Sequence, residues 1–173
     1  MTPRYSGIST INHWLTLILV TAMLVLGLIS TIAPNDDAES FVMWMHVSIG
    51  FFVFFFVFWR VFWRLREGFV APETERAWES RLAFWVHRLI LLALVLLVIT
   101  GPLYIFTAGF PINVFGWFEV GLPLESLAFL HEPAESIHVV TGLYVLPALL
   151  ALHILGAFKH YLVRGRGDSA SGL

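Results

Sequence analysis

A chain of 173 residues that is 58% hydrophobic and 13% charged, with a mean hydropathy of +0.82, is not composed like a water-soluble domain, which carries about 25% Asp, Glu, Lys and Arg. The missing charge points to lipid as the solvent and makes disorder, a disulfide scaffold and nucleic-acid binding poor readings. There is no cysteine, so disulfides, thiolate metal sites and iron–sulfur ligation are excluded.

Four apolar runs follow one another, each long enough at about 1.5 Å per residue to cross a hydrocarbon layer of roughly 30 Å. They extend approximately from Trp14 to Ile32, Phe41 to Phe62, Leu82 to Phe106 and Val139 to Leu162. The first exceeds a secretory h-region, follows one basic residue, Arg4, and precedes no Ala-x-Ala site, so it reads as a span. Between the runs lie a short acidic loop around Pro34 to Glu39, a polar loop from Arg64 to Arg81 and a long loop from Thr107 to Ile137. A small polar tail, Gly165 to Leu173, is expected to fray. The expectation is an all-α integral membrane four-helix bundle, one domain over residues 1–173.

The charges are one-sided. Arg4 precedes the first run; Arg60, Arg64, Arg66, Arg76, Arg81 and Arg88 surround the second loop; Lys159, Arg164 and Arg166 end the fourth run. The first and third loops hold Asp36, Asp37, Glu39, Glu119, Glu125, Glu132 and Glu135 and no Lys or Arg. By the positive-inside rule, both termini and the second loop are expected to be cytoplasmic. Arg60, Arg64 and Arg66 suit either lipid headgroups or the acidic groups of a cofactor. Trp14, Trp59, Trp63 and Trp117 suit interfacial belts, and Glu73, Glu75 and Glu79 suit a solvated loop better than the collection of protons for quinone reduction at the inner face.

Seven histidines, His13, His46, His87, His131, His138, His153 and His160, are the informative feature. A polar side chain at membrane depth is costly and marks function by default. Neutral imidazole suits haem iron in an apolar bundle, because it brings no net charge into the lipid. His46 lies a turn inside the outer end of the second run and His138 opens the fourth at the same level, so the two can face each other across one porphyrin. His13 begins the first run on the inner side, and His153 lies fifteen residues beyond His138, about 22 Å deeper; that pair can hold a second porphyrin. His87 and His160 share the inner level and stand as alternative ligands, proton carriers to a quinone or partners of a haem propionate. Arg60, Arg64 and Arg88 are further candidates for propionate or quinone contact. His131, among acids in the third loop, has the weakest claim.

Gly50 follows His46, and Gly142 follows His138, by four residues. Each shares a helix face with its histidine one turn deeper, where a missing side chain lets a flat macrocycle approach the backbone. Close helix packing is the other use of such glycines.

The segments Arg4-Tyr5-Ser6, Asn12-His13-Trp14-Leu15 and Met45-His46-Val47-Ser48-Ile49-Gly50 are followed by His87, the Gly116 to Pro123 stretch, His153 and Lys159-His160-Tyr161. This ordered set resembles the bacterial cytochrome b561 family from about Tyr5 to Tyr161. The resemblance implies a multi-pass protein of the bacterial inner membrane that binds two haem b groups and exchanges electrons with ubiquinone. It implies His13 and His153 as inner haem ligands, His46 and His138 as outer ones, and His87 and His160 near the quinone or propionates.

The leading functional expectation is a quinone-linked oxidoreductase that takes electrons from a periplasmic-side donor. One member type of the family is a superoxide oxidase, but seven outer acids repel an anion and favour a positively charged donor protein. A second class is a haem-bearing anchor subunit of a larger dehydrogenase or hydrogenase; a third is a haem-free bundle using its histidines for a metal ion or proton relay. The fifteen-residue interval from His138 to His153 departs from the spacing of about 14 common in di-haem helices and predicts a local wide turn or a different partner.

Overall fold

In the computed structural model, residues 6–69 and 76–170 are described. Arg4, Glu73 and Glu75 lie outside the described residues, as do the side chains of His160, Arg164 and Arg166. Helix α1 spans Gly7–Thr31, α2 Asp36–Glu67 and α3 Ala77–Thr107. A hairpin of β1 (Ile112–Val114) and β2 (Phe118–Val120) leads through a 3₁₀ segment, Glu125–Leu130, into α4 (His131–Val140). A π-helical turn, Thr141–Val145, joins α4 to α5 (Leu146–Ala170) without a break. Among the described residues, four helical runs are thus long and apolar enough to cross a membrane, the last being composite.

Helices α1 and α2 start ahead of their apolar runs, because polar residues cap them. Ser6 accepts the Ser9 N–H at 3.1 Å to start α1, and Asn35 Oδ1 accepts the Ala38 N–H at 2.9 Å to start α2. Asp36, Asp37 and Glu39 therefore sit in the first turn of α2 rather than in a loop, where negative charge complements the helix N-terminus. The sequence also predicted a long third loop. The structure instead folds it into the hairpin, the 3₁₀ segment and α4, so that His138 lies inside a helix rather than at its start. The expected frayed tail from Gly165 is helical as far as Ala170.

Burial is inverted relative to a water-soluble bundle. The enclosed residues include Ser9, Asn12, Thr16, Ser48, Thr100, Thr141 and Arg64, whereas Ile18, Val25, Phe55, Leu92 and Leu155 face outward. Without a hydrophobic force between helices in lipid, small and hydrogen-bonding residues make the interfaces and large apolar ones face the acyl chains. On α1 the enclosed residues Ser9, Asn12, Thr16 and Val20 recur every three or four positions and form one stripe. Val20, Val53, Val57, Ala93, Leu94 and Leu146 close the centre.

The helices alternate in direction, so one end of the bundle gathers the arginines and the other the acidic loops. The hairpin caps the acidic end, with its Ile112 and Val114 buried together with Phe106 of α3. Its turn requires positive φ at two positions, Phe115 (+52°) and Gly116 (+72°). The phenylalanine is held there by Trp44, at 5.8 Å between ring centres, and by its N–H donating to Ser48 Oγ at 3.1 Å. Ser48 in turn donates to the Asn113 carbonyl.

The π turn has a local cause. Pro147 cannot donate to the carbonyl four residues back and clashes with it, so the turn just before it widens. A wide turn of this kind absorbs one residue. Fourteen residues separate His13 from Gly27, His46 from Arg60 and His87 from Gly101, whereas fifteen separate His138 from His153. The π turn takes up the difference.

Candidate functional site

Two histidine pairs stand at opposite ends of the bundle. At the acidic end, His46 of α2 and His138 of α4 have ring centres 6.1 Å apart, with planes at 82°. At the basic end, His13 of α1 and His153 of α5 are 6.3 Å apart at 77°. His87 of α3 adds a third ring to the basic end, 5.0 Å from His153.

The surroundings of the pairs differ. His138 Nδ1 lies 3.1 Å from the Leu97 carbonyl and 3.4 Å from Thr100 Oγ1. A carbonyl only accepts, so Nδ1 carries the proton and Nε2 keeps its lone pair for a ligand. His46 Nδ1 is buried and makes no hydrogen bond of ordinary geometry; the backbone group facing it is that of Met23. His13 Nδ1 instead accepts from Arg60 Nη2 at 3.1 Å, because a guanidinium only donates.

Gly50 and Gly142 do not lie against the paired rings. A Cβ at Gly50 would meet Met23 Cε at 3.2 Å, and one at Gly142 would meet Leu97 Cδ2 at 3.6 Å. The glycines that do face the rings are Gly27, 3.6 Å from His46 Cε1, and Gly101, 2.8 Å from His138 Cε1, measured from an added Cβ. They follow Met23 and Leu97 by four residues. Each His-x-x-x-Gly segment therefore packs against an x-x-x-x-Gly segment of the neighbouring helix. The residue signalling this role belongs to the partner helix, so it escapes a search along the histidine's own helix.

At the basic end a polar seam joins α1 to α2. Arg60 donates to the Ser9 carbonyl at 3.3 Å and to Asn12 Oδ1 at 3.5 Å. Arg64, only 6% exposed, donates to Ser9 Oγ at 3.2 Å and to the Gly68 carbonyl at 3.2 Å. Both arginines turn towards α1. Arg88 turns elsewhere and stacks on Phe84 and Phe69. Glu79, read above as a loop acid, is in the first turn of α3 and binds Lys159 at 2.5 Å, tying α3 to α5. His131 donates its Nδ1–H to the Tyr104 carbonyl at 3.0 Å, satisfying a carbonyl of the last turn of α3. Among the described residues, no group of three or more His, Asp or Glu side chains is placed to hold a bare metal ion.

A membrane-spanning four-helix bundle carrying imidazole pairs at both ends has the architecture of a membrane cytochrome b. The family model for prokaryotic cytochrome b561 matches residues 4–168. The chain is also 32% identical over 162 residues to cytochrome b561 homolog 2 of Escherichia coli (strain K12), covering 92% of this chain and 86% of that protein. The chain belongs to the prokaryotic cytochrome b561 family, whose members bind haem b and transfer electrons in the membrane.

Proposed function

We propose that the protein carries two haem b groups, one held by His46 and His138 at the acidic end and one by His13 and His153 at the basic end. It passes electrons from a donor at the acidic, periplasmic face to ubiquinone at the basic, cytoplasmic face of a bacterial inner membrane. The observation that carries this reading is the pair of imidazole couples at opposite ends, with ring centres 6.1 and 6.3 Å apart. His46 with His138, and His13 with His153, would need about this separation to hold one haem iron between them, at about 2 Å per metal–nitrogen bond. Bound haem supplies reversible one-electron chemistry at its iron.

The chain's own residues do the rest. His138 presents Nε2 because Leu97 and Thr100 hold Nδ1–H. His13 can present Nε2 without a proton only when its Nδ1 is protonated and donates, so Arg60 must exchange His13 for another acceptor. A haem propionate or a quinone carbonyl has that chemistry, and Arg64 lies one turn further along α2. His87, beside His153, and His160, on α5, are the candidates for delivering protons to reduced quinone. Gly50, and Gly142 of the π turn, face Met23 of α1 and Leu97 of α3 one turn beyond the outer pair. Positive charge at the basic end stabilises an added electron there, which favours flow from the acidic end.

The donor that the acidic end suits is cationic. Glu119 lies on the hairpin, Glu125 at the start of the 3₁₀ segment and Glu132 and Glu135 on α4, all exposed, and Trp117, 75% exposed, gives this end an apolar contact. Superoxide, an anion, is disfavoured by the same field. Turnover of purified protein with a short-chain ubiquinone and a cationic redox protein tests the reading. Ubiquinone reduction is expected, falling at least tenfold in His153→Ala; equal turnover in that variant contradicts it.

A further inference from the structure

We propose that Gly101 and Thr100 of α3 are positioning residues that fix the His138 ring and thereby tune the electron affinity of the acidic-end haem. The inference rests on the reading of His138 as an iron ligand and deepens it.

A backbone carbonyl within a helix is shielded by the side chain of the residue four positions on, which lies over the same face. For Leu97 that residue is Gly101. A Cβ there would lie 2.8 Å from His138 Cε1 and 3.2 Å from Nδ1, too close for the ring to keep its place. Any side chain at position 101 therefore pushes the imidazole away from the Leu97 carbonyl, 3.1 Å from Nδ1. Thr100 supplies the second acceptor. Its hydroxyl donates to the Leu96 carbonyl at 2.6 Å, so its lone pairs face Nδ1 at 3.4 Å. Thr100 is buried, which keeps water from substituting for it.

The α1–α2 pair uses the same device in a looser form. The Met23 backbone faces His46 and Gly27 lies four residues on, but a Cβ at Gly27 would sit 3.6 Å from the ring, an ordinary contact. The ring of His138 is thus held by two acceptors and a glycine that cannot be replaced without displacement, and the ring of His46 by neither. Donation from Nδ1–H to fixed acceptors raises the basicity of Nε2 and favours the oxidised iron. Loss of one acceptor raises that haem's midpoint potential.

The test uses the full-length purified protein with five variants, read by haem content, low-spin spectra and redox titration. Gly101→Ala is expected to bind one haem instead of two, with the remaining haem reporting an intact fold, while Gly27→Ala keeps two. Thr100→Val is expected to keep both but shift one midpoint potential upward, and Thr100→Ser to restore it. Two haems with unchanged spectra in Gly101→Ala, or unchanged potentials in Thr100→Val, overturn the proposal. Should Gly101→Ala fail to insert, the Thr100→Val and Thr100→Ser pair decides alone. If His138→Ala itself keeps both haems, it is the ligand reading that falls.

Discussion

His138 and His153 belong to one unbroken helical run, yet they are fifteen residues apart where the corresponding positions of the other three helices are fourteen apart. The π turn Thr141–Val145 between them absorbs the extra residue, so each ring meets its partner, His46 or His13, at its own end of the bundle. The spacing of the two sites is therefore set by helix geometry at about 21 Å along the axis. It is maintained on the fourth run by a backbone irregularity that Pro147 induces.

Arg60 bonds His13, Ser9 and Asn12 at the basic end. Arg60→Gln removes a charge whose interaction with a neighbouring charge is worth on the order of 1–4 kcal/mol. A redox titration should show the basic-end haem becoming harder to reduce while the acidic-end haem stays put. Equal shifts in both would show that Arg60 acts through the whole fold instead.

Ser48, fully enclosed, accepts from Phe115 and donates to Asn113. Ser48→Ala strands both backbone groups, at a cost of about 1–3 kcal/mol. Thermal unfolding in detergent should occur earlier, and protease should cleave the Val114–Phe118 region sooner. Unchanged protection would mean that aromatic packing alone holds the hairpin.

Much of this was legible in the sequence, and the exceptions have physical reasons. The spans and the histidines at depth are visible because an apolar run and an imidazole within it are strong, local signals. The ends of α2 were read short because Asp36, Asp37 and Glu39 look like loop acids until Asn35 is seen capping the helix. The hairpin escaped because Ile112–Val114 and Phe118–Val120 are only three residues each, too short for alternation to register. Gly27 and Gly101 escaped because no histidine precedes them by one turn; their partners lie on another helix. The extra residue between His138 and His153 called for a wide turn or a different partner, and Thr141–Val145 supplies a wide turn.

Orientation can be tested directly, since the chain has no cysteine. A single cysteine replacing exposed Glu119 should react with a membrane-impermeant maleimide added to spheroplasts, and one replacing exposed Arg76 should react only after lysis. The reverse pattern would place the acidic end in the cytoplasm and invert the proposed direction of electron flow.

The acidic end makes a prediction about donors. Reduction by a cationic redox protein should slow steeply as ionic strength rises, because steering by surface charge is screened beyond about 10 Å at 0.1 M salt. Replacing Glu119, Glu125, Glu132 and Glu135 together by Gln should slow it by about tenfold or more at low salt. A rate indifferent to both changes would leave the acidic loops without a role in capture.

The most direct measurement is haem per polypeptide in purified protein, by pyridine haemochrome, for the wild type and for His46→Ala, His138→Ala, His13→Ala, His153→Ala and His131→Ala. Two haems per chain are expected, with one lost in each of the first four variants and none in His131→Ala. A wild type holding a single haem, or full retention in both His46→Ala and His138→Ala, would contradict the two-site account.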